Sequence, residues 1–153
     1  MAKQRIDHVN IVVSNLTRSV HFYVEVLGFE ETRRAHLSGA WLDAVTGLAG
    51  VEAEVAYVQP PGGGPRIELI QYFAPSGITL PETALPNTVG LRHIAFFVED
   101  IDAVCARLHD AGIETISRPM AVPEQVVTHD AGRKRLCYFR DPDGVLLELA
   151  AYS

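Results

Sequence analysis

The sequence predicts an α+β fold made of two pseudo-symmetric β-α-β-β-β modules that form an open cup around a metal site. Three observations carry that expectation. His8-Val9-Asn10-Ile11-Val12-Val13 and His93-Ile94-Ala95-Phe96-Phe97-Val98 are alternating runs that each open on a histidine and lead through a polar turn into a helix-like stretch. Glu68 in Arg66-Ile67-Glu68-Leu69-Ile70 and Glu148 in Leu146-Leu147-Glu148-Leu149-Ala150 are lone carboxylates in apolar runs, each preceded by a Pro/Gly turn. Side chains alternate across a strand, so His8, His93, Glu68 and Glu148 each oppose an aliphatic stripe and point into the cup.

The first module spans about residues 5–73. Ile6 to Val13 alternates as a strand, with Val9, Ile11 and Val13 on one face. Ser14 or Asn15 caps a helix through about Leu27, with Leu16, Val20, Val24 and Leu27 at helical spacing and Gly28 as its stop. Phe29 to Ala35, Glu52 to Gln59 and Arg66 to Phe73 read as strands, the last two joined by Pro60-Pro61-Gly62-Gly63-Gly64-Pro65. His36 to Gly50 reads as an irregular insert containing Trp41, and Ala74 to Gly90 as the linker between modules.

The second module, about residues 91–153, repeats the order. Asp100 caps a helix carrying Ile101, Val104, Cys105 and Leu108, and Gly112 ends it. Glu114 to Ser117, Arg135 to Arg140 and Val145 to Tyr152 read as strands, with Asp141-Pro142-Asp143-Gly144 as the final hairpin turn. Trp41, Phe97 and Tyr72 are expected in core or dimer packing. His21 and His109 are expected to be solvated on their helices.

With 153 residues, 48% of them hydrophobic and 21% charged, the chain fits one globular domain, 1–153, with a substantial core. A net charge of −6 and the absence of a long basic run argue against nucleic acid or an anionic membrane as partner. Arg133-Lys134-Arg135, the densest basic stretch, reads as a solvated turn. Cys105 and Cys137 lack CxxC spacing and read as buried or half-buried thiols in a reducing compartment. No apolar leader or membrane-length stretch is present in the sequence, so a cytoplasmic location is expected.

Two inward carboxylates flanked by Leu or Ile are costly to bury as ions unless a cation compensates them. Two imidazoles and two carboxylates suit a divalent first-row ion, with Zn, Ni, Co and Mn all open. A six-coordinate ion would leave room for a small-molecule carbonyl substrate bound through two oxygens, and would favour removal of a neighbouring C–H proton. Arg92 is a candidate anion contact for the substrate, and His129, in the loop Val127-Thr128-His129-Asp130, a second substrate-binding candidate.

From Asp7-His8-Val9 through Phe22-Tyr23 and Leu27-Gly28-Phe29 to Asp141-Pro142-Asp143-Gly144 and Leu147-Glu148-Leu149, the chain resembles the vicinal oxygen chelate superfamily. That group contains glyoxalase I, methylmalonyl-CoA epimerase, extradiol dioxygenases and the bleomycin resistance proteins. The resemblance implies paired β-α-β-β-β modules around a divalent metal held by His8, Glu68, His93 and Glu148, and a homodimer. Locally, Gly90-Leu91-Arg92-His93-Ile94-Ala95 and Gly144-Val145-Leu146-Leu147-Glu148-Leu149 are similar to methylmalonyl-CoA epimerase, which implies an epimerase with an acyl-CoA among its possible substrates. Arg92-His93 stands where epimerases carry His-His, and Asp141-Pro142-Asp143 where they carry His-Pro-Lys. The resemblance implies Glu148 or Glu54 as the base. It leaves a glyoxalase I-type lyase, an extradiol-type dioxygenase and a non-catalytic small-molecule binding protein as alternatives.

Overall fold

A computed structural model describes residues 4–79, 81, 85–123 and 132–153. The chain divides into two compact units, Met1–Thr79 and Leu80–Ser153. Each holds one four-stranded sheet.

In the first unit, strand β1 is His8–Val12, followed by helix α1, Leu16–His21, which continues as a π-helical turn over Phe22–Val26. Asn15 is extended and its side chain accepts from Arg18 N–H, satisfying one of the free donors of the first turn. Gln71 adds a second acceptor, taking the Leu16 N–H at 2.8 Å. Beyond the π turn Gly28 adopts φ of +76°, a left-handed conformation that reverses the chain at little cost only for glycine.

Strands β2, Glu30–Ser38, β3, Glu52–Gln59, and β4, Arg66–Ala74, complete the sheet in the order β1-β4-β3-β2. β1 runs parallel to β4, pairing Asn10 with Glu68, and β3 runs antiparallel to β4, pairing Tyr57 with Glu68. Ile11, Ala56, Val58, Ile67 and Leu69 are buried on the face that carries α1, together with Leu16, Val20 and Tyr23. Their alternation with Asn10, Tyr57 and Glu68 fixes which residues are left for the other face.

Residues 36–50 are more regular than their sequence suggests. β2 extends to Ser38, and Ala40–Thr46 forms a short helix, α2. Leu42 is its anchor, packing with Val51, Ala53, Val55 and Ile70, so α2 covers part of the face opposite α1. Asp43 closes the return by accepting from Gly50 and Val51 N–H at 2.9 and 2.8 Å. With one buried anchor, α2 has too weak a hydrophobic period to announce itself. Trp41, expected in packing, is 55% exposed in the chain.

The second unit repeats the topology with β5, His93–Phe97, helix α3, Ile101–Asp110, β6, Met120–Ala121, β7, Lys134–Arg140, and β8, Leu146–Tyr152, in the order β5-β8-β7-β6. Asp100 caps α3 by accepting from Ala103 N–H. Ile101, Val104 and Leu108 are buried from α3, and Cys137, Phe139, Leu147 and Leu149 from β7 and β8. The expected strand at Glu114 to Ser117 is reduced to one bridge between Thr115 and Phe139, and the edge strand lies later, at Met120–Ala121. Phe97 is 66% exposed and stacks on Tyr152 rather than entering the core.

Both units therefore share one plan, an α+β module repeated once. Among the described residues no helix is long and apolar enough to cross a membrane.

Candidate functional site

The first unit brings His8 and Glu68 together. The His8 Nε2 atom lies 3.6 Å from Glu68 Oε2, and Nδ1 lies 2.9 Å from Asp7 Oδ2. A neutral ring that donates from Nδ1 to Asp7 turns its Nε2 lone pair toward Glu68. Asp7 is itself held by Arg66 Nη2 at 2.6 Å, and His8 and Arg66 together keep its carboxyl below the usual range. Glu68 is restrained from both neighbouring strands: Asn10 Nδ2 donates to Oε2 at 2.8 Å, and the Tyr57 hydroxyl donates to Oε1 in a short hydrogen bond. Burial first, and Glu68 second, push the Tyr57 phenol up to about 12, so it stays a donor at neutral pH. Arg66 also lies over the Tyr57 ring, 4.7 Å from its centre.

The second unit brings His93 and Glu148 together in the same way. His93 Nε2 lies 3.3 Å from Glu148 Oε2, and the ladder pairs Ala95 and Tyr138 with Glu148, as Asn10 and Tyr57 pair with Glu68. Glu148 is only 3% exposed. Its Oε1 is buried without a well-aligned hydrogen-bond donor and meets the Lys134 ammonium at 2.8 Å as an ion pair. The Tyr138 phenol is pushed up, by burial and then by the Glu148 charge, and its ring lies 5.1 Å from that of His93.

Arg133-Lys134-Arg135 is thus not the solvated turn its composition suggested. Lys134 and Arg135 belong to β7, and alternation sends them to opposite faces: Lys134 to Glu148, Arg135 to Asp102 on α3 at 2.7 Å.

Other expected site residues are placed apart. Glu54 pairs with Gln71 and His36 across the sheet, on the face that carries α1, and contacts Arg34 Nη1 at 3.5 Å. Strand parity puts it on the side away from Glu68, which removes it as a base for that site. Arg92 lies just before β5, partly buried, with Nε lacking a hydrogen-bond partner among the described residues. His129 lies outside the described residues.

Among the described residues no group of three or more His, Cys, Asp or Glu side chains is gathered to hold a metal ion; the structure gathers the four expected ligands as two pairs. The chemistry of each pair nevertheless fits a divalent ion, with an imidazole nitrogen facing a carboxylate oxygen and, at Glu148, a buried oxygen without an aligned donor. Tyr57, Tyr138 and Lys134 escaped the sequence reading. The signal for the tyrosines was present: they lie 81 positions apart, close to the 80 that separate the glutamates.

The chain as a whole is similar to known proteins. The model of the Glyoxalase/Bleomycin resistance protein/Dioxygenase superfamily matches residues 5–149, and the chain belongs to that family. A solved glyoxalase family protein from Bacillus cereus superposes with a TM-score of 0.81 at 36% identity, covering 99% of this chain and 97% of that one. A 2-epi-5-epi-valiolone epimerase from Actinomyces sp. is 29% identical over 94% of this chain and 77% of its own length. A probable lactoylglutathione lyase from Synechocystis sp. is 29% identical over 95% of this chain and 94% of its own.

Proposed function

We propose that the chain is a divalent-metal-dependent isomerase or epimerase that removes a proton from the carbon next to a carbonyl of a small oxygen-chelating substrate. His8, Glu68, His93 and Glu148 are the residues that would hold the ion. The observation that carries this reading is the repetition of one arrangement, imidazole, carboxylate and tyrosine at equivalent ladder positions of both units. A bound Zn, Ni, Co or Mn ion would polarise the chelated carbonyl and stabilise negative charge developing on its oxygen.

The remaining work falls to side chains of the protein. Glu148 receives the substrate proton at Oε1, the oxygen that faces Lys134, while Oε2 stays beside His93. Tyr57 and Asn10 hold Glu68 from two sides, so its carboxylate needs no rearrangement to serve as a ligand. The likeness to an epimerase favours this reaction class. A glyoxalase I-type lyase is the second reading, favoured by the Synechocystis relative. A homodimer is part of the same proposal.

Elemental analysis of the purified protein followed by incubation in deuterium oxide tests the reading. Metal-loaded protein should exchange the α-hydrogen of a 2-methyl-branched acyl-CoA or of another carbonyl acid. Conversion of the methylglyoxal–glutathione hemithioacetal instead would select the lyase. Protein that neither retains nor takes up any of the four metals would overturn both.

A further inference from the structure

The two units differ around their repeated glutamates: Ala95 stands where Asn10 donates to Glu68, and a lysine on the antiparallel strand of the second unit stands where the first has an alanine. Glu68 and Glu148 each face a tyrosine from the antiparallel strand and lie beside a histidine from the parallel one. Four residues before Tyr57, on the same face, stands Ala53, paired with Tyr72; four residues before Tyr138 stands Lys134, paired with Tyr152. Ala53 is fully buried under α2. Lys134 extends its ammonium to Glu148 Oε1 with its side chain 25% exposed.

An ammonium has donors and no lone pair, so Lys134 cannot be a metal ligand. Ala95 offers Glu148 no amide like the one Asn10 gives Glu68, so Lys134 is the charged partner of Glu148. If a cation occupies Glu148, the charge that now balances Lys134 is taken, and a half-buried ammonium beside a metal ion needs another anion.

We propose that Lys134 is the anion-recognition residue of the site and that the substrate carries a carboxylate next to its chelating carbonyl. This rests on the metal-dependent reading above. On substrate binding the ammonium turns from Glu148 Oε1 to the substrate carboxylate. That movement frees the oxygen that takes the proton, so recognition of the anion and release of the base are one event. Lys134 thereby sets specificity against neutral carbonyl compounds.

Pyruvate and its neutral isostere pyruvamide are suitable probes, measured by calorimetry against Mn-loaded protein. The wild type should bind pyruvate about tenfold or more tightly than pyruvamide, as a charge-assisted hydrogen bond gives. Lys134→Met should reduce that preference by about tenfold, leaving what the Mn ion alone gives, and Lys134→Arg should keep most of it. Affinity for Mn alone should be unchanged or higher in Lys134→Met, because a competing cation is gone. Thermal denaturation of both variants checks folding, and Lys134→Arg reports if the methionine variant fails. A pyruvate preference that is absent in the wild type, or that is undiminished in Lys134→Met, would show Lys134 to be a structural ion pair and overturn this inference alone. No uptake of Mn by the wild type, with Zn, Ni and Co equally inert, would overturn the metal-dependent reading and this inference with it.

Discussion

Tyr57 and Glu68 are ladder partners on adjacent antiparallel strands, and the phenol of one donates to the carboxylate of the other. Removing the hydroxyl leaves Glu68 with its Asn10 contact and one oxygen short of a donor. Tyr57→Phe should therefore lower stability by about 1 kcal/mol at neutral pH, the middle of the range for a hydrogen bond, since Glu68 is not fully sealed from water. Urea unfolding measures this, and an unchanged midpoint would show that water replaces the phenol at no cost.

The thiol of Cys137 is wholly buried, 3.6 Å from that of Cys105, and burial pushes it up to about 12. A group whose folded pKa lies above its unfolded value near 9 contributes stability that is fully present below pH 9. That contribution is lost as the pH rises from 9 toward 12, at a slope no greater than about 1.4 kcal/mol per pH unit. Unfolding free energies measured between pH 7 and 11 should fall more steeply for the wild type than for Cys137→Ala. Parallel curves would mean that Cys137 does not contribute to the alkaline loss.

Glu148 owes its position to the hairpin that precedes its strand. Asp141 is buried and its Oδ1 accepts from Asp143 and Val145 N–H at 2.9 and 2.8 Å, while Gly144 closes the turn at φ of +85°. Asp141→Ala should cost about 2 kcal/mol by stranding these donors, and Asp141→Asn, which keeps the acceptor, about half of that. Faster hydrogen exchange at the Asp143 and Val145 amides in the alanine variant would locate the loss. Equal stability of the two variants would contradict this account of the turn.

Strand periodicity and caps were the legible part of the fold. Asn15 and Asp100 cap the helices that alternation and spacing place there, and β3 spans Glu52–Gln59, up to the Pro/Gly turn that follows it. The histidines and glutamates were legible as site candidates because the same pattern occurs twice, and two independent strands per unit then bring each pair together. Three things were not legible. α2 is held by one leucine, which leaves no helical stripe. Glu54 and Lys134 each needed strand register to decide their face, and register is a property of paired strands rather than of either sequence. Lys134 in particular was hidden by the two arginines around it, which made a strand of alternating direction look like a basic turn.

The covering of one sheet face by α2 has an evolutionary consequence. The repeat keeps a tyrosine ladder partner for each glutamate, and in the first unit residues 40–46 join the second and third strands as a helix packed by Leu42. Selection can thus rewrite residues 40–46 in length and chemistry while the glutamate-bearing strands stay untouched. A scaffold whose glutamates sit on strands apart from that segment offers lineages of this family a place to diversify in what they accept without reinventing how they react.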